Sequence, residues 1–260
     1  MQTRKCRRCL NTAGMTILLA VMAFKATSCL AQESVGPSEA TRPAAPTVSI
    51  MSSQDSISEA HDAWKTAMEA GDLTVCRRLL DSGMDVNAVI SGSGKTPLMA
   101  ARSAGLARLL LSYGADPNVR DYRGATALHH VVLHRDALRI IPLLIEKGAD
   151  VNAAADGWSG ETPFLFARRL FMQRQDSVQG ADVLRLLARL GADINAVDNE
   201  GYTLLIHAVV NDKPDLVALM VELGVDLMVR TREGQTASDW AEELGFVDIA
   251  EMLEAARSTH

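Results

Sequence analysis

Residues 126–152 read TALHHVVLHRDALRIIPLLIEKGADVN, and this stretch decides the fold. Thr126 stands where a helix needs an N-cap, a hydroxyl that accepts a backbone N–H left without a partner in the first turn. Leu144, with apolar neighbours, lies four residues before Gly148, where a glycine in the left-handed conformation ends a helix that docks its last turn. Asp150 follows as a turn former that satisfies nearby backbone N–H groups. The stretch therefore predicts helix, turn, helix and a closing turn.

The same pattern recurs on both sides. Its closing signal appears at Gly83-Met84-Asp85-Val86-Asn87, Gly114-Ala115-Asp116-Pro117-Asn118, Gly148-Ala149-Asp150-Val151-Asn152, Gly191-Ala192-Asp193-Ile194-Asn195 and Gly224-Val225-Asp226, with glycine spacings of 31, 34, 43 and 33. Its opening signal appears at Thr96, Thr126, Thr162, Thr203 and Thr236, and Pro97 and Pro163 suit a first helical position that needs no N–H. Small residues follow at Ala101, Ala167, Ala208 and Ala241, where a helix must approach its neighbour closely.

These motifs resemble the ankyrin repeat, whose period is about 33 and whose signature is T-P-L-H-x-A followed by a G-A-D-x-N turn. The resemblance covers residues 58–255. It implies an all-α solenoid of six helix-turn-helix units with protruding β-turn loops, the last unit acting as a cap. It also implies that His129 is structural, its ring hydrogen-bonding between neighbouring loops. Departures include Met228, which replaces the Asn of the fifth turn.

Two units break the period. From Thr96 to Gly114 is 18 residues against 21 from Thr203 to Gly224, so a helix there is about a turn short. From Thr162 to Gly191 is 29, and the excess falls around Phe171–Gly180. This insertion is either tolerated without a role or presents Arg168, Arg169, Phe171 and Arg174 to a partner.

Composition agrees with helices: only 4% of the 260 residues are aromatic, and the apolar content is aliphatic. Residues 1–31 carry Arg4, Lys5, Arg7, Arg8 and Lys25 without an acid, so the remainder holds 21 basic against 32 acidic side chains. A surface this acidic repels phosphate backbones and excludes nucleic acid as the expected partner. The basic start, the apolar run Met15–Phe24 and the small residues flanking Leu30 predict a signal peptide over 1–31, cleaved near Ala31, and a periplasmic or secreted protein. Ten apolar residues are too few to span a membrane. Ala26-Thr27-Ser28-Cys29 loosely resembles a lipobox, which makes Cys29 a possible lipid anchor. Residues 32–57, rich in Ser, Pro, Ala and Thr, predict a disordered linker, and 256–260 a C-terminal tail.

Candidate chemistry is thin. Gly92-Ser93-Gly94-Lys95-Thr96 lacks the first glycine of a phosphate loop, which would stand at Val89. His130 and His134 share the i, i+4 spacing of a metal pair, but no Asp, Glu or Cys completes a site, and they are expected to be solvated. Cys76, flanked by Val75 and Leu79, is expected in the core. Neither a catalytic site, a metal nor a cofactor is expected. The expected function is an exported, monomeric module whose concave face binds a protein partner. Two other classes stand beside it: an inhibitory or protective partner of a secreted toxin or envelope enzyme, and an enzyme whose site the motifs do not reveal. The expected contact residues are the loop tips: Arg120, Tyr122 and Arg123; Trp158; Asn199, Glu200 and Tyr202; and Arg230 and Arg232.

Cleavage after Ala31 predicts that the intact mass of the mature chain matches one starting at Gln32. A diacylglyceryl adduct on Cys29 would instead establish the lipid anchor, and an uncleaved cytosolic species would refute export.

Overall fold

A computed structural model describes residues 64–172 and 177–258, and the expected leader, the linker, Cys29 and Arg174 lie outside them. The described residues form stacked pairs of antiparallel helices with no strand among them, only an isolated bridge between Ala155 and Glu161. Unit 1 contains α1 (64–70) and α2 (Leu73–Asp81). Unit 2 contains a 3-10 turn (Leu98–Ala100) and α3 (Ala104–Ser112). Unit 3 contains α4 (Ala127–Val131) and α5 (Ala137–Glu146). Unit 4 contains α6 (Pro163–Phe166), α7 (Arg169–Met172) and α8 (Ser177–Arg189). Unit 5 contains α9 (Leu204–Val210) and α10 (Pro214–Glu222), and unit 6 contains α11 (Ala237–Leu244) and α12 (Val247–Arg257).

Inner helices pack on inner helices and outer on outer. The contacts run α4 to α6 and α9 to α11 on one side, and α2 to α3 to α5 to α8 on the other. Between the layers Leu128, Ile141, Leu144, Phe164, Leu165, Leu184, Leu187 and Met220 are wholly buried in one continuous core. The helices of unit 6 pack on α9 and α10 of unit 5, in which Leu219 and Met220 are buried. Cys76 is buried, and that burial raises its thiol pKa, consistent with a core role.

The threonines cap as expected at three inner helices, where Thr162, Thr203 and Thr236 accept the N–H of Leu165, Ile206 and Asp239. Thr126 closes a capping box with His129. Thr96 does not cap. It is buried, and the turn behind it starts at Pro97 without a side-chain cap. The short unit leaves room for a single 3-10 turn before Ser103, which caps α3 by accepting the N–H of Leu106 at 3.2 Å.

The closing turns bind one unit to the next. Gly148 has φ +82°, a left-handed value its four counterparts share. Asp150 then accepts the N–H of Asn152 at 2.9 Å, as Asp85, Asp116, Asp193 and Asp226 do two residues ahead of themselves. The asparagine reaches across units. Asn118 donates through Nδ2 to the Gly148 carbonyl and accepts the Asp150 N–H, both at 2.8 Å. Asn152 makes the same pair of bonds to Gly191 and Asp193, and Asn87 to Gly114 and Asp116. Asn195 accepts the N–H of Asp226. The series stops at Met228, half exposed beside Gly224 and Arg257.

The insertion in unit 4 is helical where it is described. Phe171 does not face a partner: it is buried, its ring packed so closely on Gly180 of α8 that a Cβ there would lie 2.7 Å from Cε2. An apolar side chain at the end of a four-residue helix has a core to join, which corrects the expectation of a presented Phe171.

Replacing Asn118 by Ala removes two inter-unit hydrogen bonds at once, and at about 1 kcal/mol net each the expected loss is about 2 kcal/mol in chemical denaturation. Met228→Asn should change stability by less than about 0.5 kcal/mol, since no seventh turn meets it. Equal effects at the two positions would refute the ladder as a source of stability.

Candidate binding surface

Four successive loop tips, from Ser93 to Asn199, are joined edge to edge. Tyr122 donates its N–H to the Ser93 carbonyl at 3.1 Å, Gly157 to Arg123 at 2.9 Å and Asn199 to Ser159 at 2.8 Å. Inside a tip, one buried aspartate organises the turn. Asp121 Oδ1 accepts the N–H groups of Arg123 and Ala125, and Asp198 Oδ1 those of Glu200 and Tyr202. The second oxygen of each meets a histidine Nε2, His130 at 2.9 Å and His207 at 2.8 Å. His130 is therefore held by a carboxylate and mostly buried rather than solvated, and it does not pair with His134. Among the described residues no group of three His, Cys, Asp or Glu side chains is placed to hold a metal ion.

The expected tip residues divide into two sets. Arg120, Tyr122, Arg123, Asn199, Glu200, Arg230 and Arg232 are exposed, Tyr122 at 76%. Arg120 is tied to the carbonyls of Gly124 and Ala154, and Arg230 to that of Gly234. Trp158 and Tyr202 fold back and are half-buried. Tyr202 packs against His207 and Trp240 with centroids 5.5 and 6.1 Å apart. Trp158 meets the edge of Phe166 at 5.2 Å, so it is not the projecting aromatic that its place in a loop suggested.

Around Trp158 the structure assembles a cluster that no single motif announces. The guanidinium carbons of Arg123 and Arg169 sit 4.6 and 4.9 Å from the Trp158 ring centroid, and Arg169 lies 3.7 Å from that of Phe166. Glu161, with only 4% of its side chain exposed, pairs with Arg169 at 2.6 Å and with Arg168 through its other oxygen. Its carbonyl accepts from the Ala155 N–H and from His129 Nε2, which ties unit 3 to the same point. Glu161 was missed in the sequence because a lone acid before a threonine carries no signal of its own. The aspartate–histidine pairs did leave one, a shared Asp-x-x-Gly-x-Thr with His four residues on, at Asp121 and His130 and again at Asp198 and His207.

His129 is wholly buried. Thr126 donates its backbone N–H to Nδ1 at 3.1 Å, so Nδ1 is unprotonated and Nε2–H is the donor to the Glu161 carbonyl at 3.0 Å. Burial is the main cause that pushes its pKa down to about 4, and the neighbouring His130 and Arg120 push the same way. Burial also lowers His130, His134 and His207, outweighing the carboxylates beside His130 and His207.

Comparison with known proteins supports the architecture. The family model described as ankyrin repeats (3 copies) matches residues 61–166 and 175–258. The putative ankyrin repeat protein YahD of Escherichia coli strain K12 is 27% identical over 201 residues, 73% of this chain and 93% of the relative. A chain of the solved complex of a predatory endopeptidase from Bdellovibrio bacteriovorus with an immunity protein is 29% identical, with a TM-score of 0.57, covering 74% of this chain and 97% of that one. The crystal structure of the ankyrin repeat domain of Bcl-3, of the IkappaB family, is 27% identical with a TM-score of 0.64, covering 75% of this chain and 85% of that one. The chain spans only 22% to 33% of the length of larger curated relatives that it also matches.

The low histidine pKa values predict acid sensitivity. A group whose folded pKa lies below its unfolded value gives its full stability above the unfolded pKa, about 6.5, and loses it as pH falls toward 4. His129 alone should cost about 3 kcal/mol across that window, and the other lowered histidines add in the same direction. Urea titrations at pH 7 and pH 4.5 test this, and equal midpoints would refute it.

Proposed function

The chain belongs to the ankyrin-repeat family, whose members are protein–protein interaction modules, and we propose that this one is exported and holds a protein partner against its loop tips and inner helices. The observation that carries the reading is the joined row of tips. Backbone hydrogen bonds fix one tip to the next from Ser93 to Asn199, so exposed Arg120, Tyr122, Arg123, Asn199 and Glu200 are presented on a stiff support rather than on separate loops, with exposed Arg230 and Arg232 on the tip that follows. Pre-ordered side chains lose less entropy on binding, and Tyr and Arg are the types that carry most interface energy. Support for export comes from the basic start, the apolar run Met15–Phe24 and the small residues at Cys29 and Ala31. The family's fold is a binding scaffold, and no catalytic step is assigned to the protein.

A second reading is narrower: the partner is an envelope or secreted enzyme that the protein inhibits or neutralises. It rests on the likeness to a chain from an endopeptidase–immunity protein complex.

Affinity capture with the full chain from an envelope fraction, followed by mass spectrometry, is expected to return one protein in stoichiometric amount. Tyr122→Ala should weaken that capture by about 1–2 kcal/mol while leaving the melting point unchanged, because the ring is largely exposed. Recovery of no protein above background would refute the module, and a captured enzyme whose activity falls on adding the chain would support the narrower reading.

A further inference from the structure

We propose that the cluster around Trp158 is a receptor for the carboxylate side chains of an acidic segment in the partner protein, with Arg168, Arg169 and Arg123 as the contacting groups. The proposal rests on the module reading and names the chemistry of what the module holds.

Charge comes first. Arg168 and Arg169 share one carboxylate, Glu161, and Arg123 stands over the same Trp158 ring as Arg169, so the cluster keeps a surplus of positive charge. Beyond residue 31 the chain has 21 basic against 32 acidic side chains, so this patch runs against the sign of the whole. Such a local reversal selects an acidic segment that can meet the patch without lying along the acidic remainder.

Position in the repeat supports it. Six and seven residues after the opening threonine the units carry Arg102-Ser103, Val132-Leu133, Arg168-Arg169, Val209-Val210 and Glu242-Glu243. Unit 4 alone has two cations there, at the end of the inner helix where the period lengthens. These residues sit in the fourth of six units, and interface energy concentrates near the centre of a contact.

Geometry makes the arginines ready donors. Arg169 lies against the Trp158 and Phe166 rings and spends Nη1 on Glu161, and Arg168 spends Nη1 on Glu161 and the Leu165 carbonyl. Among the described residues the Nε and Nη2 groups of both make no hydrogen bond, the bonds of each running through Nη1. The side chains of Arg168 and Arg169 remain 18% and 27% exposed, which leaves access while excluding much of the water that would screen an ion pair. A guanidinium already fixed by stacking and one carboxylate loses little freedom when it takes a second.

The test uses the full chain on an array of immobilised 12-residue synthetic peptides graded from none to six Asp or Glu. The peptides retained should be enriched in acidic members by about fivefold, as expected for added charge-assisted bonds. Arg123→Gln, which leaves the ion pairs of Glu161 in place, should reduce the enrichment at least twofold. Replacing the network together, Arg168→Met, Arg169→Met and Glu161→Gln, should abolish it without leaving an unpaired buried charge. Circular dichroism melts confirm that each variant is folded. Retention without acidic bias, a bias unchanged in folded variants, or no retention at all would overturn the proposal. Partner capture by the wild-type chain that persists beside any of these outcomes would leave the module intact and place its contacts elsewhere.

Discussion

The inter-unit bonds of the closing asparagines are the constraint on which the rest of the stack depends. Each of Asn87, Asn118 and Asn152 uses its donor and its acceptor on the backbone of the next turn, so one side chain fixes both the distance and the rotation between neighbours. The aspartate two residues earlier holds the asparagine backbone in place. A single helix pair cannot bury its apolar face, and the ladder sets how the next pair covers it. Met228 ends the series where the cap, rather than another turn, takes over.

Glu161 plays a comparable role at the loop tips, with different energetics. Its carbonyl anchors His129 of unit 3, and its carboxylate gathers Arg168 and Arg169 of unit 4. Breaking a buried ion pair by removing one partner is costly because the other is left uncompensated, although the intact pair adds little net stability over an apolar replacement. The cluster is therefore better understood as fixing the positions of two guanidinium groups than as holding the fold together.

Much of this organisation was legible in the sequence. The helix-ending glycines, the capping threonines at 162, 203 and 236, the aspartate turns and the short second unit follow from local rules that depend on a few neighbouring residues. Where distant residues decide the outcome, the local reading failed. Thr96 looks like the other caps but belongs to a unit with room for only one 3-10 turn. Trp158 looks like an exposed tip but finds Phe166, eight residues on, to pack against. Phe171 looked available to a partner, and its burial depends on Gly180 of the following helix. His130 is exposed on a helical wheel and buried in the fold because Asp121 folds back over it.

Unit 4 shows how such a stack can acquire a special surface without losing its register. Its closing bonds span 39 and 41 residues, against 27 to 32 for the units before it, yet the bond from Asp193 to Asn152 is 2.8 Å, the same as that from Asp150 to Asn118. The ladder senses only the turns, and the length of chain between them is free to vary. Extra residues can therefore enter between α7 and α8 while the turns stay aligned, and the end of the inner helix is released from the pattern its neighbours follow. Arg168 and Arg169 occupy that released position. In a one-dimensional stack the fold is secured at the turns, which leaves the inner face of each unit available for chemistry that the repeat itself does not require.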